Sequence, residues 1–514
     1  PPRSTLFPYT TLFRSDLLSP FVTNLDRPVF ALRGLPEEVV AVLFAYYSRS
    51  PHSLRDNLRR LLDEGDLAVS ASQGPVEEDD EALAAARDQA RRFHEKWVVG
   101  YGHSSVAEHA VVHLAIEEVS IVATKAIEDC RLASYTEKST RYVPFDTETF
   151  VREPSIAAGP LAGLYEDTCR GLLATYGRLL PIIEQQVAAR FAQPADWSEA
   201  RYRSVCRSRA CDLARYLLPA ATRTNLGLTI NGRSLEHLLS KLYSSPLGEL
   251  RALAAALHAE AQAIVPTLIK YAGENAYLSE TPRAVAQLAE QLLLPTEPRL
   301  TANGARLMCG PEDPLTDLTT AILYESTHQS VGALRAQIEP WPDERKMQVI
   351  NAYMAGRGRF DAPGRALEHL SYTFEMMLDY GAFRDIQRHR MCTQAGQTLT
   401  CEHGYETPDE IDDLGHAAEY HAAMAMAAEA HGKLVEAHGE EAAQYVLPLA
   451  WRKRVLFTWN LREMHHFISL RSSRQGHTSY RRIAQACWRE LNRVHPELAA
   501  DMRVDLGDYD LARA

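Results

Sequence analysis

The same ordered set of sequence blocks occurs twice in this chain, and that limits what it can fold into more than any other feature. "GHSSVAEHAVVHLAIE" near residue 100 and "APGRALEHLSYTFEMM" near residue 360 both hold Glu-His, as Glu108-His109 and Glu368-His369, followed by alternation. Val112, Leu114 and Ile116 in the first, and Leu370, Tyr372, Phe374 and Met376 in the second, have the period of a strand. From the Glu to the last Arg of the motif that follows is 23 residues in the first half (108 to 131) and 22 in the second (368 to 390). A later pair, "ARYLLPAATRTNLGLTINGRSL" and "AQYVLPLAWRKRVLFTWNLREM", runs Leu-Pro and then Asn-x-Arg, with twelve residues from Pro219 to Asn231 and twelve from Pro448 to Asn460. Blocks in the same order at near-identical spacing identify a tandem duplication.

The copies are placed at 22–290 and 297–505, with the turn-rich "LLLPTEPRLTANG" as the join. "LRALAAALHAEAQAIV" and "HAAEYHAAMAMAAEAHGKLVEAHGEEAA" have helical period and composition. Each copy is therefore expected to be α+β, long helices packed on a small, mostly antiparallel sheet. Residues 1–21 are set apart: the first fifteen, "PPRSTLFPYTTLFRS", repeat Thr-Leu-Phe and lack the apolar stretch and cleavage site of a signal peptide, which suits a non-native extension. A net charge of −12 disfavours a nucleic-acid-binding surface, no run reaches membrane-span length, and the eight cysteines include no C-x-x-C. The expectations are a cytoplasmic protein with no nucleic-acid or membrane partner and a small-molecule ligand.

Two segments carry chemistry. Arg388-His389-Arg390 places two guanidinium groups side by side, which repel unless an anion or electron-rich ring neutralises them; their planar forks suit phosphate or pyrimidine oxygens. The competing reading is a solvated helix end, where cations favour the dipole. In the second segment, Ser134, Thr136, Glu137, Ser139 and Arg141 lie close together with Tyr135 and Tyr142 interleaved, a hydroxyl-rich loop that can grip phosphate and ribose or simply be a polar turn.

Taken together, "GHSSVAEH", a strand, "CRLASYTEKSTRY", "LP" and "NGRSL" resemble the flavin-dependent thymidylate synthases (thymidylate synthase complementing proteins), whose signature is R-H-R-x-x-S-x-N-x-x-S-x-R-Y. The resemblance covers both halves. It implies FAD as cofactor, NADPH and methylenetetrahydrofolate as co-substrates, and methylation of dUMP to dTMP without a protein nucleophile, arginines activating the uracil ring. Residue by residue it implies Arg388, Arg471 and Ser139 as catalytic, and Glu137, Ser139, Thr140, Arg141, Arg215, Arg388 and Arg471 as nucleotide-binding. For the flavin it implies His103, Ser105, Glu108, Asn231 and Arg233 from the first half and Arg388, His389, Arg390, Asn460, Arg462 and His466 from the second. The family's tetramer implies a homodimer of this two-copy chain.

The copies depart from the signature in complementary places. The first keeps Glu137, Ser139 and Arg141 (with Thr136 for Asn), but R-H-R has become Asp129-Cys130-Arg131, and Leu242 stands where the late Arg belongs. The second keeps Arg388, His389, Arg390 and Arg471, but Gly396, Thr398 and Thr400 replace Glu, Ser and Arg, Pro363 replaces the His of G-H, and Gln444 replaces the Arg before Leu-Pro. A divided site follows as an expectation: loop from one copy, cationic clamp from the other. Arg215 fits this poorly, being retained by the copy that lost R-H-R, which leaves a structural role open. Asp129 either repels a nucleotide from a degenerate second site or pairs with an Arg. The alternative function is a flavin- or nucleotide-binding paralogue without turnover. Cys130 and Cys392 are open as altered nucleophiles or as packing residues. No metal is expected: His109 and His113 have helical i,i+4 spacing, but His113 falls inside the alternating strand stretch, where residues four apart are about 13 Å apart along the axis. Of His465 and His466, one is expected to face the core and one the site. Ser48-Arg49-Ser50 is a weak match to a flavin-side segment.

Overall fold

The computed structural model describes residues 18–47, 51–63, 104–294 and 302–509. The N-terminal stretch 1–15, the Ser48-Arg49-Ser50 segment, His103 and most of the join between the halves lie outside them.

Within the first half the chain forms β1 (Val111–Ser120), α1 (Ile121–Glu128), β2 (Ala133–Glu137), α2 (Ala162–Arg190), α3 (Glu199–Ala214), β3 (Arg223–Asn231) and α4 (Gly232–Tyr243). The second half forms β4 (Gly304–Cys309), β5 (Ser371–Asp379), α5 (Tyr380–Ile386), β6 (Thr393–Gly396), α6 (Ala417–His438), β7 (Arg452–Asn460), α7 (Leu461–Arg471) and α8 (Thr478–Val494). The order strand, short helix, strand, long helix, strand, helix thus recurs. The fold is α+β. Both alternating stretches are strands, and Val112, Ile116, Tyr372, Phe374 and Met376 are buried on them.

Capping explains where the helices start. Ser120 and Asp379, last residues of β1 and β5, accept from the backbone N–H of Ala123 and Ala382. Asn231 and Asn460, last residues of β3 and β7, accept from Ser234 and Glu463. Each strand therefore runs straight into a helix whose orphan N–H groups are met by the last strand side chain.

The first sheet has the order β1-β3-β2 and the second the order β4-β5-β7-β6. In the second, all neighbours are antiparallel, with Tyr372 opposite Trp459 and Phe374 opposite Phe457. Trp459 stacks on Phe467 at 4.3 Å and on Phe457 at 4.9 Å between ring centroids, making an aromatic wall under α7.

By spatial clustering the chain divides into two compact units that do not follow the halves: Pro1–Ile116, Leu132–Thr136 and Leu226–Leu293 form one, and Glu117–Arg131, Glu137–Asn225 and Leu294–Ala514 the other. The second unit therefore holds parts of both halves, knitted at the two Leu-Pro segments. Ala220 N–H donates to Leu447 O and Leu449 N–H to Leu218 O; Ala221 N–H donates to Tyr445 O and Ala450 N–H to Tyr216 O. Each bond has a counterpart with the halves exchanged, around a Pro219–Pro448 bridge. Among the described residues, no helix is long and apolar enough to cross a membrane.

Asp379, wholly buried at the start of α5, also accepts from Ser479 Oγ and from Asn303 Nδ2 at 3.2 Å. Burial pushes its carboxyl up to about 6, with Arg215 and Ser479 only partly offsetting it. Its folded value lies above its unfolded one, so its contribution to stability is full below about pH 4 and is lost as pH rises through about 6. At 1.36 kcal/mol per pKa unit, the loss is about 3 kcal/mol. Asp379→Asn, which keeps the cap acceptor, is expected to remove that slope: relative to the wild type, the variant gains about 2 kcal/mol between pH 4.5 and 7 in denaturant titrations, the remaining ~1 kcal/mol having been lost below pH 4.5. A difference that stays flat across this range would refute the assignment.

Candidate functional site: an arginine cluster beside a cavity

Both sequence-predicted segments enter the second compact unit, and there they meet. Glu137, the last residue of β2, is 1 % exposed at its side chain. Its Oε1 accepts from Arg384 Nη2 at 2.8 Å and Thr124 Oγ1 at 2.9 Å; Oε2 lies 3.3 Å from Lys125 Nζ and 3.6 Å from Arg388 Nη2. Burial alone would raise this carboxyl, but Arg384, Lys125 and Arg388 outweigh it and hold it at about 2. Arg384 also donates to Thr140 Oγ1 at 3.2 Å. The hydroxyl-rich loop of the first half is thereby fastened to α5 of the second.

A second carboxylate lies next to this one. Asp385 Oδ2 is 3.5 Å from Arg215 Nη1. Burial would push Asp385 up, yet Arg215, Arg141, Arg471 and Arg388 together hold it well below the usual carboxylate range. Arg215 therefore stands beside the R-H-R segment of the other half. It is buried, with Nε and Nη2 lacking a hydrogen-bond partner among the described residues, an arrangement that costs stability in the absence of an acceptor. Gly381 lets α5 come this close, since a Cβ there would lie 3.3 Å from Arg215 Nη2.

Arg141 is fixed by a two-pronged contact with Asp212 (Nε–Oδ1 2.6 Å, Nη2–Oδ2 3.0 Å) and donates to Tyr480 Oη at 3.2 Å. The guanidiniums of Arg141 and Arg471 lie 5.8 Å and 5.3 Å from the centroid of the Tyr480 ring. Ser139 Oγ accepts from Arg141 N–H, shaping the loop. Six cations (Lys125, Arg141, Arg215, Arg384, Arg388, Arg471) thus gather around Glu128, Glu137, Asp212 and Asp385. Cations in excess, presented as planar forks, make a receptor for a compact anion such as a phosphate monoester.

His389 is buried between this cluster and a cavity of about 370 Å³. Its Nε2 lies 2.9 Å from Arg471 Nε and its Nδ1 3.0 Å from Glu463 Oε1, with the ring against Phe467 and Trp459. Burial brings the imidazole down to about 4, Glu463 pulling up and Arg471 down. The cavity is lined by Asn460, Arg462, Glu463, His465, His466 and Arg357, among others. Of the histidine pair, His465 is buried and His466 exposed. Arg462 bonds Glu368 Oε1 at 3.1 Å and Pro363 O at 2.8 Å. The other compact unit repeats part of this pattern: Arg233 bonds Glu108 Oε1 at 2.5 Å, and Asn231 caps α4, with Ser105 exposed nearby in sequence.

Arg390 donates to the carbonyls of Cys130 and Arg131, at 3.3 and 3.0 Å. With Asp129, Arg131, Gln387, Cys392 and Gln394 it lines a separate pocket of about 180 Å³, apart from the Glu137 contacts. Asp129 acts there and on Lys453, whose ammonium burial lowers to about 8 against the pull of Asp129. Burial pushes the Cys392 thiol up to about 12, which suits packing rather than nucleophilic attack. Leu242 is buried in the last turn of α4, where the second half carries Arg471. His113 lies on β1 with Nδ1 2.9 Å from Thr229 Oγ1, and His109 stacks on Phe44. The i,i+4 pair has separate partners.

Sequence reasoning missed Arg384, Lys125, Asp385, Glu463 and Tyr480. For the first two a signal existed. Arg384 precedes Arg388 by one helical turn, and Lys125 and Arg384 each stand six residues before the last Arg of their motif.

The family described as thymidylate synthase complementing protein matches this chain twice, over residues 61–267 and 311–497. A UPF0159 protein of Chlamydia muridarum is 34% identical over 97% of this chain and 96% of its own length, and one of Thermoplasma acidophilum is 32% identical over 82% and 90%. A flavin-dependent thymidylate synthase of Clostridium tetani is 26% identical over 40% of this chain and 80% of its own. Among solved structures, a flavin-dependent thymidylate synthase from Helicobacter pylori complexed with FAD and dUMP aligns with a TM-score of 0.30 and 21% identity, over 39% of this chain and all of that one.

Proposed function

The chain belongs to the thymidylate synthase complementing protein family, and on that premise we propose that it is a flavin-dependent thymidylate synthase, forming dTMP from dUMP at a site shared by two diverged copies of one ancestral unit. The observation that carries this reading is the contact of Glu137 with both Arg384 and Arg388. The first copy supplies the loop and Arg215, the second the clamp, so the complementary departures from the family signature fall on opposite sides of one site. Relatives bearing the enzyme's name match it over part of the chain.

In this reading Arg141, Arg215, Arg388 and Arg471 hold the nucleotide phosphate and place positive charge where the uracil ring gains electrons. Without a protein nucleophile, such preorganised charge is the main means of lowering the barrier. Ser139 and Thr140 order the loop. Asn460, Arg462 and His466 are donors suited to flavin carbonyls and phosphates, and a cavity of about 370 Å³ fits one end of the dinucleotide, so these residues would hold FAD. When bound, the flavin supplies the electrons that turn a transferred methylene into a methyl group, with NADPH and methylenetetrahydrofolate as co-substrates. Two chains would rebuild the family's four-unit body.

The test is spectroscopic. Purified protein lacking residues 1–15 is expected to retain flavin at about one per chain and to show a visible-band shift on dUMP addition. Failure to bind added FAD would remove the synthase reading; flavin that ignores dUMP would favour a flavoprotein with another acceptor.

A further inference from the structure

His389 belongs to the R-H-R segment, yet both of its ring nitrogens are taken by protein groups. Arg471 Nε–H can only donate, so His389 Nε2 must be the acceptor at 2.9 Å. The ring proton is then on Nδ1, where the Glu463 carboxylate accepts it at 3.0 Å. Glu463 and Arg471 sit on one helix, α7, eight residues and so about 12 Å apart along its axis. The imidazole bridges them, seated against Phe467 and Trp459. With Nε committed to His389, Arg471 has Nη1 and Nη2 without a hydrogen-bond partner among the described residues, and its guanidinium lies over Tyr480 facing the Asp385 cluster.

We infer that His389 is a positioning residue: locked as its Nδ1–H tautomer by Glu463, it accepts from Arg471 and aims that guanidinium at the anion held by the cluster. The inference rests on the nucleotide reading of the cluster given above. It differs from a flavin contact, because the nitrogens that would meet a flavin are engaged. A protonated imidazole, or one with the proton on Nε2, would present a donor to a donor and turn Arg471 away.

The experiment compares dUMP binding by the flavin-loaded wild type, His389→Gln and His389→Phe. Glutamine can donate to Glu463 and accept from Arg471; phenylalanine keeps the ring packing and does neither. Losing a hydrogen bond to a charged group predicts about 10- to 100-fold weaker dUMP binding for His389→Phe, with His389→Gln within about threefold of the wild type. Equal affinity in all three proteins, or equal losses in both variants, overturns the inference. Histidine 15N NMR of the wild type tests it without nucleotide, using His389→Gln for assignment. An Nδ1-protonated signal that shifts to Nε2 in Glu463→Leu supports the relay even if dUMP does not bind, in which case only the nucleotide reading falls. An Nε2-protonated wild type overturns the inference whether or not dUMP binds.

Discussion

Arg388→Ala and Glu137→Gln are each expected to lower dTMP formation by at least about 100-fold, and mixing the two inactive proteins is expected to restore nothing. Arg388 is 48% exposed at its side chain and 3.6 Å from Glu137. Only the Arg388 side of this contact is half-exposed; buried Glu137 keeps Arg384 at 2.8 Å and Lys125 at 3.3 Å as partners in Arg388→Ala, so its charge is not left unpaired and loss of turnover will reflect transition-state charge rather than unfolding. The mixing arm uses the position of the contact: Glu137 and Arg388 meet inside one chain. A site completed by a neighbouring chain would regain activity in mixed assemblies, because one interface would carry both intact groups. Turnover in either single variant sinks the divided site; turnover in the mixture sinks its placement within one chain.

The second large effect is on stability. Arg384→Met is expected to destabilise the fold by about 3 kcal/mol, the lower end of what removal of one partner from a buried ion pair costs, because Lys125 remains 3.3 Å from Glu137. Arg384 and Glu137 are 7% and 1% exposed at their side chains. Without the guanidinium the Glu137 carboxyl will rise from about 2 toward the ordinary range, moving acid unfolding to higher pH. Adding Glu137→Gln to Arg384→Met should recover part of the loss, since a neutral amide has no charge to leave unpaired. Strictly additive losses in this double-mutant cycle, read by chemical denaturation, would show that the two groups do not interact.

Arg215 shows where reading by sequence stopped. The resemblance named it as nucleotide-binding, but it sits in the first half, 173 positions before Arg388, and nothing in its local pattern says that it serves the R-H-R segment of the other half. It gets there because the two Leu-Pro segments exchange backbone hydrogen bonds with each other, which sets α5 beside the end of α3. Arg384 and Lys125 were within reach of sequence comparison, at the same offset in both halves, but charge at matched offsets says nothing about which acid they serve. His389 is a third kind of case: its residue type was legible, its partners were not, and they decide whether its nitrogens face a cofactor or hold an arginine.

By itself the sequence determined the α+β elements and their recurrence, because strand alternation, helix period and capping residues act over a few positions and need no partner. It also marked the two chemistry-bearing segments, not through either one alone, each having a plain structural reading, but through their ordered combination with the flanking blocks. Only the tertiary structure decided that these segments meet, that Arg215 and Arg471 join them around Asp385, and that Glu463 reaches Arg471 through His389. Those are contacts between side chains up to hundreds of residues apart, and their energies depend on burial and distance, which local sequence does not encode.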